Sequence, residues 1–97
     1  MTVKVIGLIE LTDQNAFEQY RSRVGQTVEL YKGSIQNRGS VTEVFWNELN
    51  CARFNAFVEL TFPSQQDAQA WVHSPEYQDL VAIRNKAMKL TLFAATI

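Results

Sequence analysis

Val3-Lys4-Val5-Ile6-Gly7-Leu8-Ile9-Glu10-Leu11 is rich in β-branched and aliphatic residues on both parities. Val3, Val5, Ile9 and Leu11 point one way; Ile6 and Leu8 point the other. A strand apolar on both sides wants cover on both sides, which predicts an interior strand rather than an edge strand with a wet face. Beyond it, Thr12, Asp13 and Asn15 offer N-cap oxygens, and Asn15-Ala16-Phe17-Glu18 has the form of a capping box. Phe17, Tyr20, Val24, Val28 and Tyr31 then recur at helical spacing, one stripe facing a sheet. Lys32 suits the negative end of that helix, and Gly33 is expected to supply its left-handed stop.

Further along, Ser34 to Trp46 predicts a second strand with a bulge or bend at Gly39. Asn47-Glu48-Leu49-Asn50 reads as a turn, and Ala52 to Phe62 as a third strand. Phe54, Ala56, Val58, Leu60 and Phe62 form its apolar row; Arg53, Asn55, Phe57, Glu59 and Thr61 form a mostly polar one. Pro63 ends the strand, and Ser64 with Asp67 opens a short helix carrying Ala68, Trp71 and Val72. Ser74-Pro75 restarts the helix, serine capping and proline taking the first helical position. Tyr77, Leu80, Val81, Arg84, Ala87 and Met88 share a face there, and Lys89 to Ile97 is a fourth strand.

The resulting order, β-α-β-β-α-β, gives a ferredoxin-like α+β domain over residues 1–97: a four-stranded antiparallel sheet with its helices on one face. The other face still carries apolar residues, and a second copy packed sheet against sheet in two-fold symmetry would cover them. A homodimer is therefore expected, the rival explanation being a single subunit that tolerates some exposed apolar surface, as soluble proteins commonly do.

Charge and composition narrow the function classes. Nine Lys and Arg against ten Asp and Glu leave a net charge of −1, with no basic tract to neutralise phosphates, so nucleic acid is not expected as a partner. The fold order is shared with RNA-recognition domains, but Arg53-Phe54-Asn55-Ala56-Phe57 lacks the glycine of their aromatic strand motif. Glu10 interrupts the apolar N-terminal run before signal length, and no run approaches transmembrane length. No membrane association and a cytoplasmic location are the expectation. Cys51, the only cysteine, fits a reducing compartment and reads as an ordinary small apolar residue at a strand start. One histidine and one cysteine cannot close a zinc site, and phosphate loops and a serine-nucleophile elbow are absent, so no metal or cofactor is expected.

Phe62-Pro63-Ser64, Ala70-Trp71, His73-Ser74-Pro75-Glu76-Tyr77-Gln78 and Arg84 together resemble the family called domain of unknown function 1330. Tyr20, Tyr31, Gly33 and Arg38-Gly39 fall where that family's pattern puts them, so the resemblance spans essentially the whole chain. It implies a subunit of the dimeric α+β-barrel type. Two departures stand out: Gly39-Ser40 replaces the family's paired glycines, and Val72 stands where an aromatic residue often follows the tryptophan.

Several residues are candidates for chemistry. Tyr77 and Arg84 are seven apart, nearly in line on a helix, with Leu80, Val81 and Met88 alongside. A guanidinium rising from an apolar stripe must be paired or reach a cavity. Either it forms a buried ion pair, with Glu10 or Glu59 as partner, or it grips a carboxylate-bearing small molecule. Arg38 sits beside the expected bulge, where a distortion re-aims side chains, or is simply exposed. Asn55 and Glu59 share a strand face and would line a cavity with Arg53 or a solvated sheet surface. His73 is placed either as a general base or as a loop residue beside the Ser74 cap. Trp71, Tyr20 and Tyr77 would wall an aromatic pocket or fill the core. Three readings follow: a dimer binding a small, anionic molecule between sheet and helices; a cofactor-independent isomerase or oxygenase using that pocket; or an accessory dimer with neither role.

Overall fold

The computed structural model describes residues 2–97, and it has the expected element order. Strand β1 (Val3–Leu11) lies inside the sheet, antiparallel to β3 (Ala56–Phe62) on one side and to β4 (Met88–Thr96) on the other. Strand β2 (Ser34–Ser40) joins the outer edge of β3, giving the order β2-β3-β1-β4. Helix α1 (Gln14–Leu30) and three shorter helices, α2 (Gln65–Val72), α3 (Pro75–Gln78) and α4 (Val81–Ala87), cover one face. Val3, Val5 and Ile9 of β1, Leu60 and Phe62 of β3 and Met88 of β4 are buried beneath them. Apolar parity on the first and third strands therefore translates directly into a core. Among the described residues no helix is long and apolar enough to cross a membrane.

Local chemistry sets the helix ends. Asp13 is the N-cap of α1, its Oδ1 accepting the Ala16 N–H at 3.0 Å, so the box expected from Asn15 does not form. Ser64 accepts from Asp67 N–H and Ser74 accepts from Tyr77 N–H, both at 3.1 Å, with Pro75 in the first turn. The C-terminus of α1 differs from expectation. Gly33 N–H bonds Val28 O and Lys32 N–H bonds Glu29 O, a Schellman arrangement in which Lys32 takes the left-handed position at φ 70°. Gly33 is required for space instead: a Cβ there would lie 2.5 Å from the Phe62 ring. Left-handed backbone costs a side-chain-bearing residue roughly 1–2 kcal/mol, partly offset by glycine's larger entropy loss. Lys32→Gly is thus expected to stabilise the fold by about 0.5–1 kcal/mol, read as a higher melting temperature. An unchanged or lower value would count against this cap.

Strands β2 and β3 are shorter than the sequence suggests, ending and starting at Ser40 and Ala56. Residues 41–55 form a loop on which Phe45, Trp46 and Leu49 are 75, 81 and 90 % exposed. Their β-forming side chains have no neighbouring strand face to pack on. Cys51 lies exposed on this loop rather than at a strand start. The bulge also sits elsewhere. The register of β2 shifts between Ile35 and Asn37, whereas Gly39 pairs regularly with Phe57. Gly39 leaves room for the Phe57 ring, whose Cε1 would be 3.1 Å from an added Cβ.

Candidate functional site

A cavity of about 320 Å³ lies between α1 and the helix-covered face of the sheet. Phe17 and Val24 wall it from the helix, Ile35 and Leu60 from the sheet, and Met88 and Leu92 from β4. Gly7 of β1 lies beneath this floor. A Cβ there would meet Val58 Cγ1 at 2.9 Å and Leu90 Cδ1 at 3.1 Å, so those lining side chains lean over naked backbone.

The polar groups converge from four elements, α1, α2, α3 and β2. Tyr20 and Tyr77 are buried, and their hydroxyls lie 3.0 Å apart with the rings edge to face. Trp71 packs against Tyr77 with 4.5 Å between ring centres and the rings tilted by 55°, and its Nε1–H donates to Thr27 Oγ1 at 3.0 Å. Arg84 does not line the cavity. It stands behind Tyr77, where Nη1 donates to the phenolic oxygen at 3.0 Å and the guanidinium carbon lies 5.7 Å from the ring centre. The ion pair expected with Glu10 or Glu59 is not made. Both carboxylates project from the opposite face of the sheet, Glu59 to Lys4 at 3.3 Å and Glu10 towards Arg53 at 4.0 Å.

Arg38 does reach the cavity, for a reason written in the strand. The shift at Gln36 resets the alternation of β2, so Ile35 and Arg38 both fall on the helix side, Arg38 opposite Val58. Arg21 joins it from α1, one residue after Tyr20 and within the stripe Phe17, Tyr20, Arg21, Val24. That i, i+3, i+4, i+7 spacing was the signal for Arg21, which attention to apolar residues alone passes over.

The remaining candidates lie elsewhere. Asn55 fastens the loop to β1: its Oδ1 accepts the Leu11 N–H at 3.2 Å and its N–H donates to Ile9 O at 2.8 Å. Glu59 is on the outer face, where the Asn37 amide and the Lys4 ammonium hold its carboxyl below the usual range. His73 is exposed, with Nδ1 3.0 Å from Gln69 O, beside a shallow groove separate from the cavity. Burial, then the neighbouring Tyr77, pushes the Tyr20 hydroxyl well above the ordinary phenol range.

The family model described as "Domain of unknown function (DUF1330)" matches residues 3–96. The chain belongs to the DUF1330 family. No functionally curated protein matches it. Among solved structures, this DUF1330 domain is similar to a protein of unknown function from Rhodopseudomonas palustris, with a TM-score of 0.77 and 15 % identity over 99 % of this chain and 82 % of that one. SnoaB, a cofactor-independent oxygenase from Streptomyces nogalater, superposes with a TM-score of 0.69 at 10 % identity, over 99 % of this chain and 92 % of SnoaB. A dimeric ferredoxin-like protein of unknown function from Jannaschia sp. gives 0.69 at 10 % identity, with both chains fully covered. At these identities the likeness establishes the ferredoxin-like α+β fold and transfers no chemistry.

Proposed function

We propose that this DUF1330 domain is a homodimer that binds a small apolar molecule carrying an anionic group. The observation that carries the reading is the apolar cavity with Arg38 turned into it by the β2 bulge and Arg21 beside it. Its volume of about 320 Å³ falls at the lower end of the range of ligand pockets, and apolar walls with a few convergent polar groups are their usual form. Arginine holds carboxylates through paired N–H donors, so two guanidiniums favour an acid. The outer face supports the dimer: Ile6, Leu8, Phe57 and Phe93 form an apolar centre between Lys4–Glu59 at one end and Glu10 near Arg53 at the other. An apolar centre with a charged rim is the composition of an interface.

General-base catalysis needs a group that takes up a proton. The residues lining the cavity include neither carboxylate nor imidazole, and Tyr20 is held in its hydroxyl form. The geometry supports binding best, because the cavity wall offers donors and apolar surface rather than a side-chain base.

The test is calorimetric titration with 4-benzylbenzoate, an apolar acid of suitable size. Arg38→Met is expected to weaken binding about tenfold, the loss of one charge-assisted contact at an exposed site, and to leave the melting temperature unchanged. Equal affinity in the two proteins would remove the role assigned to Arg38.

A further inference from the structure

The two cavity tyrosines have one more proton to donate than the protein has places to receive it. Arg84 is a donor only, and Nη1 gives its proton to the Tyr77 oxygen at 3.0 Å. The Tyr20 and Tyr77 hydroxyls carry two protons between them, and the single 3.0 Å bond joining them uses one. If Tyr77 donates to Tyr20, the Tyr20 proton is left over. If Tyr20 donates to Tyr77, the Tyr77 oxygen accepts twice and its own proton is left over. Among the described residues neither hydroxyl has any further hydrogen-bond partner than these. Tyr20 is only 9 % exposed and Tyr77 2 %, and both line the cavity. A buried O–H without an acceptor is costly, so whatever fills the cavity has to accept it.

We infer that the Tyr20–Tyr77 pair presents one hydroxyl proton to the cavity and there binds a carbonyl oxygen of the ligand, with Arg84 positioning and polarising the pair from behind. The inference rests on the cavity being a ligand site and adds the functional group recognised there. Of the two arrangements, the one with Tyr77 donating is favoured. Its oxygen already accepts from a cation, which strengthens its own O–H as a donor, and the Tyr20 proton is then the one that enters the cavity. Elevation of the Tyr20 hydroxyl by burial and by Tyr77 keeps that proton in place. An uncharged oxygen suits the site better than a carboxylate. One donor cannot compensate a buried anion, and the arginines Arg21 and Arg38 already provide for the acid elsewhere in the cavity wall. The ligand class is therefore an apolar keto acid.

The experiment compares 4-benzoylbenzoate with 4-benzylbenzoate, which differ only in a carbonyl against a methylene between the rings. The unsubstituted protein is expected to bind the ketone about tenfold more tightly, with the carbonyl stretch of the bound ketone displaced to lower frequency. Proton counting makes a sharper statement. Tyr20→Phe and Tyr77→Phe each still leave one hydroxyl proton without an acceptor, so each retains the preference. Only the double variant loses it. Arg84→Met is expected to retain methylene binding but show a smaller carbonyl displacement, which a purely structural arginine would not produce. Equal affinity for the two compounds with an undisplaced carbonyl overturns the tyrosine inference and leaves the cavity reading standing. Binding of neither compound overturns the cavity reading and this inference with it. Should the double variant fail to fold, the carbonyl frequency in the unsubstituted protein decides the question.

Discussion

Replacing Trp71 by alanine is expected to lower the free energy of unfolding by about 3–5 kcal/mol, the usual cost of deleting a buried large aromatic side chain. Trp71 is 2 % exposed and lies between the Phe62 ring at 5.6 Å and the Tyr77 ring at 4.5 Å. It also ties α2 to α1 through its bond to Thr27. A small domain has only about 5–15 kcal/mol of stability in all, so the variant retains a fraction of it. The melting temperature should fall by about 12 °C or more. Collapse of the site is resisted because the cavity already adjoins it, which puts the loss towards the upper part of that range. Trp71→Phe separates packing from hydrogen bonding. It keeps most of the ring contact and loses the bond to Thr27, whose hydroxyl remains satisfied by Val24 O, so a loss of about 1 kcal/mol is expected. Were the alanine variant to lose less than the phenylalanine variant, the ring would not be packed as described.

Ile6→Glu is the second large effect, and in the proposed homodimer it acts on assembly rather than on folding. Ile6 stands opposite Phe93 on β4 and Glu59 on β3, at the centre of the face without helices. Its side chain is outside the core beneath the helices, so the subunit is expected to keep its fold. Across a two-fold axis each introduced carboxylate faces the apolar centre of the other copy and approaches its own equivalent. Taking an unpaired charge out of water costs several kcal/mol, which shifts the dimer to monomer by at least a hundredfold in dissociation constant. Sedimentation velocity over a concentration series reads this directly. A glutamate variant that remains as dimeric as the parent would mean that the copies associate through another surface. A parent that is monomeric throughout would remove the dimer altogether.

How far the sequence speaks for itself varies from element to element. Parity on Val3–Leu11 pointed to β1 inside the sheet, because apolar residues fall on both of its faces, with Lys4 and Glu10 only towards the ends of the outer one. The serine-proline restart at Ser74-Pro75 was equally legible, since cap and proline each act within one turn. The seven-residue spacing of Tyr77 and Arg84 survived even though the helix breaks at Asp79–Leu80, because both of those residues keep right-handed helical backbone and Arg84 Nη1 still reaches the Tyr77 oxygen. What failed was the partner. Glu10 shares its parity with Ile6 and Leu8, and Glu59 lies in the polar row of β3, so neither carboxylate was on the helix side and the residues already said so. Arg38 is a different case. Its direction depends on a register shift at Gln36, a residue with nothing unusual about it, whereas the glycine that drew attention serves to admit the Phe57 ring. The loop after Ser40 misled for a related reason. Val44, Phe45 and Trp46 carry strand-forming side chains, and strand preference mostly measures the packing surface that a neighbour supplies.

Strand order and the long loop together have a consequence for the chain as a pair of pieces. Residues 41–55 are the one extended irregular connection among the described residues, and the segment before it supplies β1, α1 and β2 while the segment after it supplies β3, the short helices and β4. Because β1 is seated between β3 and β4, and β2 pairs only with β3, the strands of the two segments alternate across the sheet, and every pairing joins one segment to the other. A protease cut at Trp46 or Leu49 would sever the backbone without releasing either fragment. The halves would stay joined by three ladders, β1–β3, β1–β4 and β2–β3, and the halves made separately would have to find one another to fold at all.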